Sequence, residues 1–506
     1  MVSKILSLYN SKRLLFNATL SVVQVIALGG TYFIVYTFLL KNLGSQKLGT
    51  WSVVLSTSSV ASIANIGLSS SLIKFIASYS IERDIVQINK LIKTSLISIA
   101  VFVGFISILL YCLGYFLLSL VLPPSELSEA RILLPFSLLS LWINSLASIF
   151  LSTLDGIHSS SIRSLVYIVS AFIFIILVWQ FLPHYGLTSI AVIQVIQAFT
   201  ILILSVTGVK YVFKGFILFP LRWDKETFNQ IFKFSSNFQI IGLCQLLYDP
   251  VTKFLLSRYG GLSFVGYYEM ASRLVVQIRT LIVSANQVIV PSIASSSEKN
   301  IDKSYPKILN LVIGLAFPVM VAVMVFTPSI SYYWIGSYEP YFIWALLILT
   351  LSWLINILCT PAYFSSIGLG NLRGILFSHV FIAILNLVLG WGLGYSFGGL
   401  GVIIAWGMSL SLGSLFSLVY YNKKYRKNEI NVKRNQFSYI LFSSFSFVLI
   451  YYFLFYKESN ILSHKEILYY SIILYCCYLL SIFMFFVRNK SVIDYIKTKT
   501  QSKYTS

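Results

Sequence analysis

Runs of about twenty apolar residues, separated by short polar connections, recur along the whole chain. A continuous run of that length matches a helix crossing a bilayer. The runs cover residues 14–40, 48–68, 94–122, 132–153, 162–182, 186–213, 233–257, 264–290, 308–328, 341–366, 374–396, 398–421, 437–456 and 467–487. They predict an all-α polytopic membrane protein of about fourteen transmembrane helices, and an even number returns both termini to one side. The first run is too long for the core of a cleavable signal peptide and has no small-residue cleavage pattern, so it reads as a retained span.

Polar residues interrupt this pattern most heavily between Lys233 and Pro291, in two apolar helices joined at Tyr259–Ser263. The first carries Gln245, Asp249 and Lys253; the second carries Glu269, Arg273 and Gln277, with Arg279 off that line. Spacing of i, i+4, i+8 puts each trio on one helix face. Counted from the short connection, Asp249 and Glu269 lie at similar depth, so the two faces can meet. Placing Glu269, Arg273 and Arg279 at mid-bilayer costs roughly 7–10 kcal/mol on insertion scales, against roughly 4–7 returned by the apolar residues of 264–290. The eighth span therefore needs a partner face or a wet cavity. Ionised residues inside membranes mark pathways, although two ion pairs locking the helices together is the alternative.

The composition, 57% hydrophobic and 10% charged over 506 residues, fits no soluble domain. The net charge of +21 is no sign of nucleic-acid binding, because the basic residues are dispersed and form no stripe beside stacking aromatics. It is a topology signal. The termini and even-numbered connections hold 28 Lys and Arg; the opposite connections hold six, Lys41, Lys47, Arg131, Arg258, Lys457 and Lys465. Positive charge stays inside, so both ends are expected in the cytoplasm. Five cysteines in apolar segments and four scattered histidines give no disulfide framework, no metal site and no cofactor motif. Glu126, Glu129, Glu458 and Glu466 read as solvated loop charges, and no outside connection has room for a catalytic domain.

The chain also repeats. LLKNLGSQKLGTW at 39–51 resembles LLSRYGGLSFVGYY at 255–268, aligning Gly44 with Gly260 and, after one insertion, Gly49 with Gly266. Gly156 pairs with Gly370, and Gly186 with Gly399. Such spacing predicts two six-helix lobes of parallel topology, related by a pseudo-two-fold repeat. Residues 1–214 form the N-terminal lobe and 215–428 the C-terminal lobe; 429–506 add a peripheral helix pair and a basic tail.

Several spans gather polar residues on one side. The fourth carries Ser137, Ser140, Asn144, Ser148, Ser152 and Asp155; the first carries Asn17, Gln24 and Thr31; the second carries Ser52, Ser56 and Ser59. The eighth continues through Thr280, Ser284 and Gln287. Serine stripes serve as helix–helix glue, but carboxamides and charges point to a hydrated central cavity, with Asn17, Gln24 and Ser148 among its walls. Lys253, Arg273 and Arg279 outweigh Asp249 and Glu269 by one charge. Arginine forks grip phosphate or sugar carboxylate, while Gln245, Gln277 and Asn144 suit sugar hydroxyls. Asp249 and Glu269 are the candidate coupling acids. Gly29-Gly30, Pro250, Pro318 and Pro361 offer bending points.

The segments KNLGSQKLGTWSVV, NIGLSSSLIKFIASY, DPVTKFLLSRYGGLSFVGYYEMASRL and GGLGVIIAW resemble the polysaccharide-exporting branch of the multidrug, oligosaccharidyl-lipid and polysaccharide (MOP) exporter superfamily. The resemblance spans the first twelve helices. It implies a flippase of the bacterial inner membrane that moves an undecaprenyl-diphosphate-linked repeat unit to the outer leaflet by alternating access, for O-antigen, capsule or exopolysaccharide. It implies membrane lipids and a polyprenyl-diphosphate-linked glycan as partners, with polymerase and chain-length machinery beside a monomeric protein. Lys253, Arg273 and Arg279 would contact the head group, and Arg273→Ala would abolish surface glycan. Cation-coupled drug exporters usually carry an acid in helix 1, and Leu14–Leu40 has none. Lipid II flippases are richer in arginine there, and this span has no interior arginine. Both remain alternatives, as does, more remotely, a membrane glycosyltransferase or polymerase.

Overall fold

The computed structural model describes residues 2–65, 68–82, 84–287, 298–369, 372–425, 434–458 and 463–488. The helices are α1 (Val2–Ser59, followed by a 3-10 segment Val60–Asn65), α2 (Leu68–Glu82), α3 (Ile85–Ser119), α4 (Pro124–Gly156), α5 (Ser160–Val212), α6 (Lys225–Gly260), α7 (Leu262–Gln287), α8 (Glu298–Ile335), α9 (Pro340–Gly368), α10 (Arg373–Tyr425), α11 (Arg434–Glu458) and α12 (His464–Arg488). Among the described residues there is no strand. By length and apolarity, eight of these helices can cross a membrane. That is fewer than the expected fourteen for three physical reasons. The polar load of α6 and α7 lowers their hydropathy, the apolar stretch of α11 (Tyr439–Phe453) is short, and three long helices are each two arms.

The arms are separated by glycines. A straight helix of 53 residues would run about 80 Å, well over twice the ~30 Å hydrocarbon thickness. Instead α5 reverses at Gly186 and α10 at Gly398. Ile162 faces Gly208, and Ile382 faces Gly413, so the arms of each helix lie antiparallel. In α1 the break is Gly44. Every described glycine with positive φ (Gly44, Gly186, Gly261, Gly336 and Gly398) lies at the end of the bundle opposite the termini, below called the glycine end.

These breaks correct the register of the repeat. Gly44 (φ 81°, ψ 171°) has its equivalent in Gly261 (φ 82°, ψ 169°), one residue beyond Gly260. Gly186 (φ 59°, ψ −147°) matches Gly398 (φ 64°, ψ −149°), one residue before Gly399. With Gly44 on Gly261, Gly49 falls on Gly266 at the same offset and no insertion is needed. Gly370 lies outside the described residues, as does the basic tail beyond residue 488.

The two halves meet through contacts that are images of each other. Gly49 packs on the Leu262 carbonyl and Gly266 on the Ser45 carbonyl, so closely that a Cβ at either glycine would overlap the oxygen. Moving Ser45 and Gly49 by the repeat offset yields Leu262 and Gly266. Nearby, Ser257 Oγ donates to the Val121 carbonyl (2.6 Å).

The connection from α5 to α6 is strapped to α3. Asn89 donates to the Gly215 carbonyl (2.8 Å) and accepts from Ile217 N (2.9 Å); Trp223 Nε1 reaches Ser98 Oγ (3.1 Å). Asp224 caps α6 by accepting from Thr227 N (2.7 Å) and Thr227 Oγ1 (2.6 Å), and it pairs with Lys90 (3.1 Å). The Thr227 hydroxyl and amide, then Lys90, hold its carboxyl down at about 2. A depressed carboxyl pKa stabilises the fold above the unfolded value near 4, and the effect is lost as pH falls through 2. Amide protection factors across residues 213–224, corrected for intrinsic exchange at each pH, should therefore fall in wild type only at pH below about 4, and in Asp224→Asn already at neutral pH. Unchanged exchange in the variant would rule out the cap's role.

Glu126 corrects the reading of 126 and 129 as solvated loop charges. It is 5% exposed and accepts from Gln46 Nε2 (3.2 Å), Lys47 Nζ (3.0 Å) and Thr50 Oγ1 (3.1 Å), fastening the turn of α1 to the start of α4. Glu129 also bonds Lys47. Glu466 accepts from Ser463 N and Oγ at the start of α12. The pair α11 and α12 packs on α8 through Tyr451 and Tyr478 against Val321 and Val325, with Tyr452 and Tyr475 donating to the Met324 and Pro318 carbonyls (both 3.1 Å).

Candidate functional site

The turn at Gly261 brings the polar faces of α6 and α7 together in one chain of four charges. Lys253 Nζ lies 2.6 Å from Asp249 Oδ2 and 2.8 Å from Glu269 Oε2, and Arg273 Nε lies 2.7 Å from Glu269 Oε1. Lys253 is 1% exposed and Glu269 is 2% exposed. Such burial is tolerable only where every lone pair and proton is used. Lys253 finds its third acceptor in the Ser52 carbonyl (3.5 Å). Glu269 takes two further donors from the other half, Tyr36 Oη (2.9 Å) and Ser52 Oγ (3.1 Å). Glu269 thus accepts four hydrogen bonds, and three bonds between the halves run through this cluster.

The four charges cancel, leaving Arg279. Its Nε donates to Asn356 Oδ1 (3.0 Å), and its guanidinium lies 4.7 Å from the Trp353 ring centre. Asn356 in turn donates to Ser414 Oγ (2.8 Å). Among the described residues no carboxylate pairs with Arg279. Arg273 is held in the same manner, through Nε and against Tyr32 at 5.2 Å. Both arginines are oriented by Nε, and no hydrogen bond from their terminal nitrogens is made among the described residues.

Two cavities flank the charges. One, about 700 Å³, lies in the C-terminal half between α6, α7, α9 and α10, and its walls include Gln245, Asp249, Glu269, Arg273 and Arg279. The other, about 520 Å³, lies in the N-terminal half between α1, α4 and α5, with Ser137, Ser140 and Asn144 in its walls. Arg273 lines both. One shared vestibule was expected; the structure has two chambers with a guanidinium in the common wall.

Other expected residues lie elsewhere. Gln277 packs on Gly29 where α7 meets α1. Asn17 donates to the His158 carbonyl (3.4 Å), and Ser148 to the Ser145 carbonyl (2.7 Å). Neither they nor Gln24, whose Oε1 is buried, belong to the walls of these two cavities. Asp155 pairs with Arg163 (2.8 Å). The side chains of Ser284 and Gln287 lie outside the described residues. Lys253 is too enclosed to touch a head group and instead holds the two acids together.

The C-terminal cavity also holds His379, bonded to Gln245 Nε2 (3.1 Å) and Tyr248 Oη (2.9 Å), and the rings of Trp406 and Tyr363. Sequence reasoning passed over His379, although a lone histidine in the apolar run GILFSHVFIAIL was the available signal.

The profile of the polysaccharide biosynthesis protein family matches residues 17–297, more than half the chain. The chain belongs to that family. Its fold is that of MOP-superfamily transporters. It is similar to the lipid II flippase MurJ in an inward closed conformation (16% identity, TM-score 0.72, 94% of this chain and 99% of that one). It is also similar to an inward-facing multidrug resistance MATE transporter (14% identity, TM-score 0.66, 78% and 94%) and to a MOP-superfamily transporter from Pyrococcus furiosus (13% identity, TM-score 0.56, 79% and 95%). None of the curated proteins matches it. Family and fold together describe a polysaccharide biosynthesis protein whose membrane-length apolar helices are arranged as in these transporters.

Proposed function

We propose that the protein flips a polyprenyl-diphosphate-linked oligosaccharide from the cytoplasmic to the outer leaflet of a bacterial cell membrane, for surface polysaccharide synthesis. Arg279 carries this reading. An arginine inside the membrane with no carboxylate partner among the described residues, aimed by Nε at one side of a 700 Å³ cavity, is suited to an anionic head group.

The basic bias of the termini side makes it cytoplasmic, and the glycine end then faces out. The mirrored glycine contacts lie at the glycine end, while the C-terminal cavity extends toward the start of α10 at Ser378 and His379. On this reading the cavity is reached from inside. A phosphate entering from the cytoplasm meets Arg279 and then Arg273, where it competes with Glu269. Releasing Glu269 loosens its bonds to Tyr36 and Ser52, and rocking then opens the outer side. The polyprenyl tail stays in lipid. Asp249, its side chain 45% exposed and lining the cavity, is the accessible coupling acid, because Glu269 has no free lone pair.

Arg279→Ala tests this without disturbing an ion pair. Losing a charge-assisted hydrogen bond should lower glycan display in a complemented flippase-null strain by about 10- to 100-fold, with protein level unchanged and partial rescue by Arg279→Lys. Full display by Arg279→Ala would overturn the assignment. Arg273→Ala is a less clean test, since it also strips a partner from buried Glu269.

A further inference from the structure

The two cavities differ in how their polar groups are employed. In the C-terminal chamber the polar side chains bond one another: Gln245 and Tyr248 to His379, Arg279 to Asn356, Asn356 to Ser414. In the N-terminal chamber the carboxamides of Asn144, Gln194 and Gln197 line the space and have no side-chain partner among the described residues. Around them stand serine hydroxyls whose protons are already given to their own helix, as Ser137 to Leu133 (3.2 Å), Ser140 to Ser137 (2.9 Å) and Ser58 to Leu55 (2.9 Å). Those oxygens face the cavity as acceptors. Arg273, in the shared wall, is the one ionised residue among the lining residues. Three free carboxamides, each both donor and acceptor, beside a bank of acceptors and the ring of Tyr32, form a surface for vicinal hydroxyls and an acetamido group. They are not a surface for an anion.

From this division we infer that the N-terminal chamber is a subsite for uncharged sugar, distinct from the phosphate-binding arginines, and that one substrate spans both chambers past Arg273. The inference rests on the flippase reading and adds where the glycan sits and what chemistry it has. The sugar nearest the diphosphate is neutral, and Asn144, Gln194 and Gln197 read it. A ligand in both chambers also bridges the two halves, with Arg273 at the crossing point.

The test uses the full-length protein in nanodiscs with two probes, undecaprenyl diphosphate and undecaprenyl-diphosphate-linked N-acetylglucosamine. Fluorescence of Trp51, which lines the N-terminal chamber, read with the other eight tryptophans replaced by phenylalanine, reports occupancy there, and a filter assay reports total binding. Wild type should bind the glycosylated lipid at least about tenfold more tightly than the bare diphosphate. N144A/Q194A/Q197A should lose that advantage and the Trp51 signal, and keep wild-type affinity for the bare diphosphate. Arg279→Ala should weaken both probes equally. A triple variant that retains the full advantage, or a wild type that binds both probes equally, overturns the sugar subsite and leaves the flippase reading standing. A wild type that binds neither probe overturns the flippase reading, and the subsite with it. Retained binding of the bare diphosphate by the triple variant shows that it is folded; loss of both probes in that variant assigns the carboxamides to the fold and overturns their role in recognition.

Discussion

A Gly49→Val protein is expected to reach the membrane and display no surface glycan, with its halves held apart on the outer side. Gly49 sits against the Leu262 carbonyl with no room for a side chain, and a carbon needs roughly 3.3 Å or more from a carbonyl oxygen. The obstacle is backbone in the other half of the molecule, so no rotamer change relieves it; the contact itself has to part. Gly266→Val is the mirror experiment, since Gly266 meets Ser45 in the image of that contact, and it should have the same phenotype. A cysteine at position 52, in a background cleared of the five native cysteines, reads the outcome. It should react with a membrane-impermeant maleimide from outside in the valine variants and be protected when position 49 is glycine. Wild-type transport with a protected residue 52 in Gly49→Val would show that the halves do not seal there.

The second large effect is expected at Glu269. Removing its carboxylate leaves Lys253, which is 1% exposed, with Asp249 as its one remaining carboxylate partner, and leaves Arg273, Tyr36 and Ser52 without their acceptor. Breaking a buried pair from one side costs about 3–5 kcal/mol, so Glu269→Ala should show a large drop in melting temperature in detergent and little accumulation in cells. Replacing both members of a buried pair with apolar residues of similar volume is often neutral. Lys253→Met/Glu269→Leu should therefore regain most of the stability but not transport, because the bonds between the halves that a phosphate would release are gone. Equal melting temperatures for the single and double variants would mean that the pair is not what the fold depends on here.

How much of this was legible in the sequence varies with the range of the interaction concerned. The apolar runs placed the helices, because length and hydropathy are local properties. The meeting of the two charged faces was legible too, from i, i+4 spacing on two helices joined by a short turn, though not that Lys253 would be the residue to reach Glu269. The repeat was visible in its glycines but misplaced by one residue at Gly260 and Gly399. Side-chain patterns align glycines, whereas only backbone geometry shows that Gly261 and Gly398 carry the positive φ. Glu126 was misread because the segment PSELSE has the composition of a loop. Its burial depends on Gln46, Lys47 and Thr50, which precede it by most of two helices. The same holds for the cavity walls. Asn17 and Gln24 share the spacing of a lined face, yet tertiary packing turns them away, while Gln194 and Gln197, in the run IAVIQVIQAF, line the N-terminal chamber. Two carboxamides in so apolar a run were the signal available.

The most direct measurement is lipid movement itself. Proteoliposomes carrying the purified protein and a fluorescent undecaprenyl-diphosphate-linked oligosaccharide, with the outer-leaflet label destroyed by dithionite, separate flipped from unflipped lipid. Wild type should equilibrate the labelled lipid across the two leaflets, Arg279→Ala should slow it by about 10- to 100-fold, and Gly49→Val should abolish it. Movement at the wild-type rate in both variants, or none with the wild-type protein, would contradict passage of the head group past Arg279 between two rocking halves.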